Sequence, residues 1–430
     1  MLFGRRGCSL VWVLALSAAH GACSSQDSTK GGGAGSGGKG AAGAAGSPTA
    51  GSGGVTPGSG GVGGTASVGG GGGAENPLGV ALTGVTAVAV GDDLACAVAA
   101  NGVVACWGNN TFGELGNTAY GQNSLVPLEV AGIPGGATAI AAGKYFACAV
   151  TLGGGAMCWG FNPEGRLGNN STSASNGTPV QVVGLTSGVT ALSIGRDSAC
   201  AITAQGGVMC WGSNSNGKLG NNTTIDSSVP VQVAGLTAGA TSISVADDGA
   251  CAVVAGAVLC WGSYAGGTLA GSSLTPVPIS SLSSGATAVS LGNFGSGCAI
   301  TTAGALMCWG DNGYGELGDG NRVSSVTAVQ VTGLSSGVTA VAAVAFSRCA
   351  VMNGTVSCWG SEPWATVDGS ILTQVGGLTS AATAISAGHG GAADEVRVCV
   401  ATAVGGVSCW GNWTFGGLTR EDSSVAVAVP

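Results

Sequence analysis

The sequence predicts an all-β fold, a seven-bladed β-propeller of four-stranded blades with one disulfide per blade, over residues 77–430. Three observations predict it. Cys-Trp-Gly recurs seven times, beginning at Cys106, Cys158, Cys210, Cys260, Cys308, Cys358 and Cys409, with the ~50-residue period of propeller blades. A second cysteine precedes each one: Cys96, Cys148, Cys200, Cys251, Cys298, Cys349 and Cys399. The segments around them alternate with period two between glycine-rich turns, which is the pattern of strands and not of helices.

Each repeat reads as strands a, b, c and d. Strand a is a small-residue alternation, as in Val85-Thr-Ala-Val-Ala-Val90 or Val189-Thr-Ala-Leu-Ser-Ile194. Its Ala, Ser, Thr and Val content fits the crowded central axis. Strands b and c carry the two cysteines. Asn-x-x-Gly-x-Leu-Gly follows, as in Asn214 to Gly220, and strand d closes the unit around Pro179 to Val182 or Pro230 to Val233. Radial closure leaves such units only short edges. Two segments compete to complete the ring, Pro77 to Leu82 and Val425 to Val429; the second is favoured because it finishes the seventh unit in register.

The cysteine spacing fits a b–c hairpin. In the sixth repeat the pair flanks Asn353-Gly354, the dipeptide of a type I′ turn, whose central residues both need positive φ. The fourth repeat has the same spacing around Ala255-Gly256. The other five have three-residue loops ending in glycine, as in Ala100-Asn101-Gly102 and Ala204-Gln205-Gly206, the arrangement of a G1 bulge. Both loop classes place the cysteines directly opposite each other at a non-hydrogen-bonded pair, where Cα atoms approach to about 4.5 Å. A zinc site wants four ligands, and no redox Cys-x-x-Cys is present. No metal and no cofactor is expected.

The N-terminus predicts export. Arg5 and Arg6 precede an apolar stretch from Ser9 to Ala19 that is too short to span a bilayer, so residues 1–22 read as a signal peptide. His20-Gly-Ala-Cys23 resembles the lipobox of bacterial lipoproteins, with His20 where an aliphatic residue is usual; the rival is ordinary cleavage, for example after Gly21. Seven pairs use fourteen of the sixteen cysteines, Cys8 leaves with the signal, and Cys23 alone lacks a partner. Lipidation of Cys23 explains it. Residues 23–76, nearly all Gly, Ala, Ser and Thr after Cys23, read as a flexible tether with a root-mean-square reach of about 40 Å. The expected location is therefore the cell envelope or outer surface by lipid anchor, with free secretion as the alternative.

Laid out in full, Cys200-Ala-Ile-Thr-Ala-Gln-Gly-Gly-Val-Met-Cys-Trp-Gly-Ser-Asn-Ser-Asn-Gly-Lys-Leu-Gly220 resembles the repeats of the regulator-of-chromosome-condensation family, here of a secreted bacterial lipoprotein type. The resemblance runs over about residues 85 to 430 and implies seven blades, the number counted from the cysteines. Repeats four and six depart from it after the Trp, and a histidine common in the family two positions before the strand b cysteine is missing throughout. The family includes a nucleotide-exchange factor for a small nuclear GTPase, a chromatin binder and a secreted bacterial β-lactamase inhibitor. Export is at odds with the nuclear role. The resemblance implies a scaffold that binds through a propeller face and names no site.

Composition narrows the chemistry. Charged residues are 7% of the chain, the net charge is −8, and there are two histidines, of which His20 leaves with the signal. Nucleic acid needs clustered Lys and Arg, so it is not an expected partner. No Ser-His-acid set assembles, and an enzyme is the least favoured reading. The seven Trp of Cys-Trp-Gly read as packing residues.

Charge placement is the remaining signal. From Asp92 onward, every charged residue except Glu129 lies in or beside an a–b or c–d connection, and most loop aromatics join them. In an up-and-down blade those connections share one face. The expected partner is a protein docking on it, with Tyr145, Phe146, Arg196, Asp197, Asp247, Asp248, Phe294, Arg348, His389, Asp394, Glu395 and Arg397 as candidate contacts. A plainer reading is that longer connections hold more of everything. The alternative function is glycan binding at the envelope, through the loop aromatics and Asn109-Asn110, Asn169-Asn170 and Asn221-Asn222. Any membrane contact is expected through the lipid alone.

Overall fold

The computed structural model describes residues 82–263, 272–292, 295–361, 369–389, 396–415 and 418–429, without the side chains of 412–427. The signal peptide, Cys23, the tether, Pro77 to Ala81, Phe294, Asp394 and Glu395 lie outside the described residues.

Seven antiparallel four-stranded sheets follow one another in chain order. Blade 1 is β1 (Val85–Val90), β2 (Leu94–Ala99), β3 (Val104–Gly108) and β4 (Ser124–Glu129). Blade 2 is β5 (Ala137–Ala142), β6 (Phe146–Thr151), β7 (Ala156–Phe161) and β8 (Ser175–Gln181). Blade 3 is β9 (Val189–Ile194), β10 (Ser198–Thr203), β11 (Val208–Gly212) and β12 (Ser227–Gln232). Blade 4 is β13 (Ala240–Val245), β14 (Gly249–Val254), β15 (Ala257–Gly262) and β16 (Ser273–Pro278). Blade 5 is β17 (Ala286–Leu291), β18 (Gly297–Thr301), β19 (Leu306–Gly310) and β20 (Ser325–Gln330). Blade 6 is β21 (Val338–Val344), β22 (Ser347–Met352), β23 (Thr355–Gly360) and the two-residue β24 (Thr373–Gln374). Blade 7 is β25 (Ala382–His389), β26 (Val396–Thr402), β27 (Val407–Phe415) and β28 (Leu418–Val429).

The hairpin register is the expected one. In every blade the two cysteines are direct cross-strand partners. All seven pairs are disulfides, with Cα atoms 4.0–4.1 Å apart. The turns follow their residues. Ala255 and Gly256 have φ of 50° and 82°, and Asn353 and Gly354 have 51° and 78°, as a type I′ turn requires.

The core is distributed over the boundaries between blades. Each apolar cluster joins the cysteine hairpin of one blade to the Trp of the next, as where Cys148 and Cys158 meet Trp211. Six of these Trp are 0–1% exposed and Trp107 is 3% exposed. The indole of Trp159 donates to the Glu114 carbonyl at 2.8 Å, and those of Trp211, Trp261 and Trp359 donate to Arg166, Lys218 and Glu316 at 2.9–3.0 Å. The closing glycine of Gly-x-Leu-Gly makes room for that ring. At Gly116, Gly168, Gly220 and Gly318 a Cβ would lie within 3.0 Å of the indole nitrogen, and φ is +62° to +67°.

Strand a of every blade lines the axial channel, which holds a cavity of about 100 Å³. Its serines tie neighbouring blades together. Ser193, Ser244, Ser290 and Ser386 accept the backbone N–H of Val245, Leu291, Ala343 and Val90 at 2.8–3.0 Å. The C-terminal strand β28 completes blade 7, as the in-register reading favoured. The last boundary packs Cys399, Cys409 and Val429 against Leu82, Val88 and Trp107.

Candidate functional site

The a–b and c–d connections share one face because strand c leaves its sheet beside the a–b loop. Asn109, Phe161, Ser213, Ser263 and Ser361 donate their backbone N–H to the carbonyls of Asp93, Tyr145, Asp197, Asp248 and Phe346 at 2.7–3.0 Å. The b–c turns meet the d–a links at the other end, as where Gly239 N–H donates to the Gln205 carbonyl at 3.0 Å.

The c–d loops are built around a buried asparagine. Asn110, Asn162, Asn214 and Asn312 are 0–1% exposed. Their Oδ1 atoms accept the N–H of Leu115, Leu167, Leu219 and Leu317 at 2.9–3.0 Å. Their amide nitrogens donate to the carbonyls of Ala119, Ser171, Thr223 and Asn321. Asn110 is therefore a structural pin inside its loop. Asn109, Asn169 and Asn221 also accept hydrogen bonds within their own loops.

The residue before that leucine sets the charge under each loop. It is Glu114, Arg166, Lys218 or Glu316, each at most 6% exposed. Lys218 Nζ reaches Asp197 Oδ1 at 2.6 Å and donates to the Asp247 carbonyl at 2.8 Å. Arg166 Nη1 donates to the Arg196 carbonyl at 3.4 Å, and Nη2 pairs with Glu164 at 2.5 Å. The two glutamates accept one backbone N–H each, from Phe112 and Tyr314, at 2.8 and 2.9 Å. Their other oxygens are buried without a partner among the described residues. Burial pushes the Glu114 carboxyl up to about 7 against its backbone hydrogen bonds, and raises Glu316 in the same way.

At the axial mouth Asp92, Lys144, Arg196, Asp247 and His389 converge around a cavity of about 80 Å³. His389 Nε2 lies 3.8 Å from Asp92 Oδ1 and 3.7 Å from Asp247 Oδ2, and Lys144 Nζ lies 4.0 Å from Asp92 Oδ2. Burial raises Asp92 to about 6, with His389 pulling the other way. Burial also raises Asp248, against the attraction of Lys218. Both axial cavities are far below the roughly 300 Å³ of a small-molecule pocket. Two hollows of about 370 and 410 Å³ open on the opposite face and carry no titratable side chain. Among the described residues no three His, Cys, Asp or Glu side chains are placed to hold a metal.

The predicted contacts divide into two groups. Tyr145, Asp197, Asp247, Asp248 and His389 are partly exposed on the face, and Arg196 is exposed. Phe146, Arg348 and Arg397 are corrections, because they are 0–1% exposed. Arg348 donates to the carbonyls of Ala345 and Ser347 at 3.3 and 2.7 Å and to the Ser296 hydroxyl. Arg397 Nη1 lies 3.5 Å from Asp93. Burial lowers Arg348 to about 10, with Glu316 opposing. Both arginines are internal staples, since a guanidinium is costly to bury unless it is hydrogen-bonded or paired with a carboxylate. Much of the charge asymmetry seen in the sequence is thus spent within the propeller.

Two residues were missed as contacts, Phe112 and Phe161. With Tyr145 they form an aromatic cluster across the boundary of blades 1 and 2. Phe112 lies 4.2 Å from Phe161 and 5.4 Å from Tyr145, centroid to centroid. The available signal was positional. The residue after Cys-Trp-Gly is Phe161 in blade 2 and Asn109, Ser213, Ser263, Asp311 or Ser361 in the blades around it.

Comparison with known proteins places the repeats. One model of the regulator of chromosome condensation (RCC1) repeat matches residues 85–114, 137–166 and 189–218, and a second matches 101–150 and 205–253. The human probable E3 ubiquitin-protein ligase HERC3 is 33% identical over 139 residues, which is 32% of this chain and 13% of that protein. The human E3 ubiquitin-protein ligase HERC2 is 32% identical over 137 residues, 31% of this chain and 3% of that protein. The ligase names belong to those whole proteins, of which the matched stretch is a small part. Among solved structures, yeast RCC1 (Prp20), bound to Kap60, superposes with a TM-score of 0.61 at 17% identity, over 73% of this chain and 79% of that one. Human WBSCR16 gives 0.53 at 20% identity, over 60% and 70%. At such identities the likeness is one of fold. The chain is a seven-bladed propeller in which stretches between residues 85 and 253 match the regulator of chromosome condensation (RCC1) repeat.

Proposed function

We propose that this propeller is an exported, envelope-displayed binding module that recognises a protein partner through the face of its a–b and c–d connections. The observation that carries the reading is that, among the described residues, this face alone combines partly exposed aromatic rings with charged side chains on a scaffold stapled by seven disulfides. Rigid scaffolds with such loops bind at little entropic cost. The axial cavities are too small for an ordinary cofactor or substrate and the two larger hollows carry no titratable side chain, which favours binding over catalysis. Yeast RCC1 engages Kap60, a protein, and a protein partner is the corresponding proposal here. Residues 1–22 serve as the signal peptide, Cys23 carries lipid, and the tether through residue 76 holds the propeller away from the membrane.

The test is a comparative pull-down from envelope fractions with the mature chain as bait. Tyr145→Ala and Arg196→Ala should each lose the captured protein, and Gln205→Ala on the opposite face should keep it. Cys23→Ser should release the bait into the soluble fraction. Capture that depends on Gln205 alone would overturn the face assignment, and unchanged membrane association of Cys23→Ser would remove the anchor.

A further inference from the structure

One strip of this face joins three aromatic rings to an arginine, where the equivalent positions at the boundary of blades 5 and 6 hold the pair Tyr314 and Phe346 at 4.7 Å. It runs from Phe112 in blade 1, through Tyr145 and Phe161 in blade 2, to Arg196 in blade 3. Phe112 stacks obliquely on Phe161 at 4.2 Å, and Tyr145 meets Phe112 edge-on at 5.4 Å. The guanidinium of Arg166 lies 5.1 Å from the Phe161 centroid and donates to the Arg196 carbonyl at 3.4 Å. The strip is therefore continuous across three blades.

Two features set it apart from ordinary packing. All three rings keep part of their surface in water, while the Trp of these blades are almost wholly buried. Tyr145 also has a φ of +66°. The same loop position is Asp93, Asp197, Asp248 and Phe346 in blades 1, 3, 4 and 6, none with a positive φ, and Gly295 in blade 5, with a φ of +74°. A left-handed residue is thus optional there, and among the described residues Tyr145 alone brings a side chain to that conformation at this position. The backbone of Tyr145 holds its ring against Phe112, and such strain collects where function requires it.

The charges along the strip select the ligand. Lys144 lies 5.1 Å from the Tyr145 centroid and 4.0 Å from Asp92. Arg166 is 6% exposed and paired with Glu164 at 2.5 Å. Arg196, at the end of the strip, is exposed and has no ion pair among the described residues. Asp92, Asp93 and Glu114 lie near Tyr145 and Asp248 lies near Arg196, and Arg196 is the exposed cation of the strip. A carboxylate would find Arg196 beside an apolar floor.

Resting on the protein-binding reading above, we infer that this strip docks a partner segment presenting an aromatic or aliphatic anchor with a carboxylate beside it. The anchor lies over Phe112 and Phe161, and the carboxylate pairs with Arg196. Aromatic and arginine side chains together are the usual composition of a binding hot spot.

The experiment pans a random linear-peptide library on the full mature chain. Enriched peptides should carry Phe, Tyr, Trp or Leu within a few residues of Asp or Glu. Phe112→Ser should weaken their binding at least tenfold. Arg196→Glu, an exposed change that leaves the melting temperature in place, should weaken them equally and turn a fresh selection toward Lys and Arg. Enriched peptides without an acidic residue, or unchanged binding to both variants, would overturn the inference. Peptides lost only through Asp247→Ala or His389→Ala would overturn it while leaving the face assignment intact. Peptides lost only through Gln205→Ala or Leu152→Ser would overturn both.

Discussion

The indole nitrogen of Trp211 donates to the backbone carbonyl of Arg166, 3.0 Å away across the boundary between blades 2 and 3. The same bond recurs at three further boundaries, so at these four the Trp packs against the preceding blade and fixes its c–d loop. Trp211→Phe keeps most of the apolar contact and leaves that carbonyl without its donor, at a cost of about 1–2 kcal/mol in denaturant unfolding. Trp309 Nε1 has no acceptor among the described residues. Trp309→Phe should therefore cost clearly less, and equal losses would remove the hydrogen bond from the account.

Glu114 predicts a pH dependence. Its carboxyl is pushed from 4.5 to about 7 by burial, so the folded protein holds a proton that the unfolded chain releases. The resulting stability is fully present below about pH 4.5 and is lost as pH rises through about 7, by an amount on the order of 3 kcal/mol. Asp92, raised to about 6 by burial, adds to the same trend. Urea unfolding between pH 5 and 8 should show stability falling as pH rises, and Glu114→Gln should flatten most of that slope. A slope of the opposite sign would mean that Glu114 is ionised and partnered.

Deleting residues 423–430 removes most of β28 and should destabilise the whole ring, because blade 7 then loses its outer strand and the Val429 contact. Deleting 77–81 should cost little. Extending that deletion through Leu82, 8% exposed in the cluster with Val429, should lower the melting temperature. Circular dichroism melts of the three truncations distinguish these outcomes.

Arg348 and Phe146 should behave as structural residues. Each is buried at a blade boundary, so Arg348→Ala or Phe146→Ala should cost about 3 kcal/mol or more in stability. Partner affinity of the folded fraction should stay near that of the parent. Loss of affinity at unchanged stability would return them to the binding surface.

The parts legible in the sequence are those with local causes. Asn353-Gly354 dictates its own turn, and a turn fixes which residues oppose each other, so the cysteine pairing follows from spacing alone. The C-terminal closure was legible for the same reason, since Val425 to Val429 continues the seventh unit in register. What was not legible depends on contacts about 45 residues apart. Nothing in Gly-x-Leu-Gly announces that its second glycine seats the indole of the next repeat. Arg348 stands one residue before Cys349 at the start of β22, and only the packing of blade 5 against blade 6 reveals that its guanidinium turns inward. Loop charge was therefore a poor guide to which charges remain free to bind.

The most direct measurement is photo-cross-linking on cells that display the full chain. A benzophenone amino acid is placed in turn at positions 145 and 196 on the a–b face, and at 205 and 404 in the b–c turns. Positions 145 and 196 should each give a discrete protein adduct, and 205 and 404 should give none. Adducts from 205 and 404 with none from 145 and 196 would contradict the face assignment.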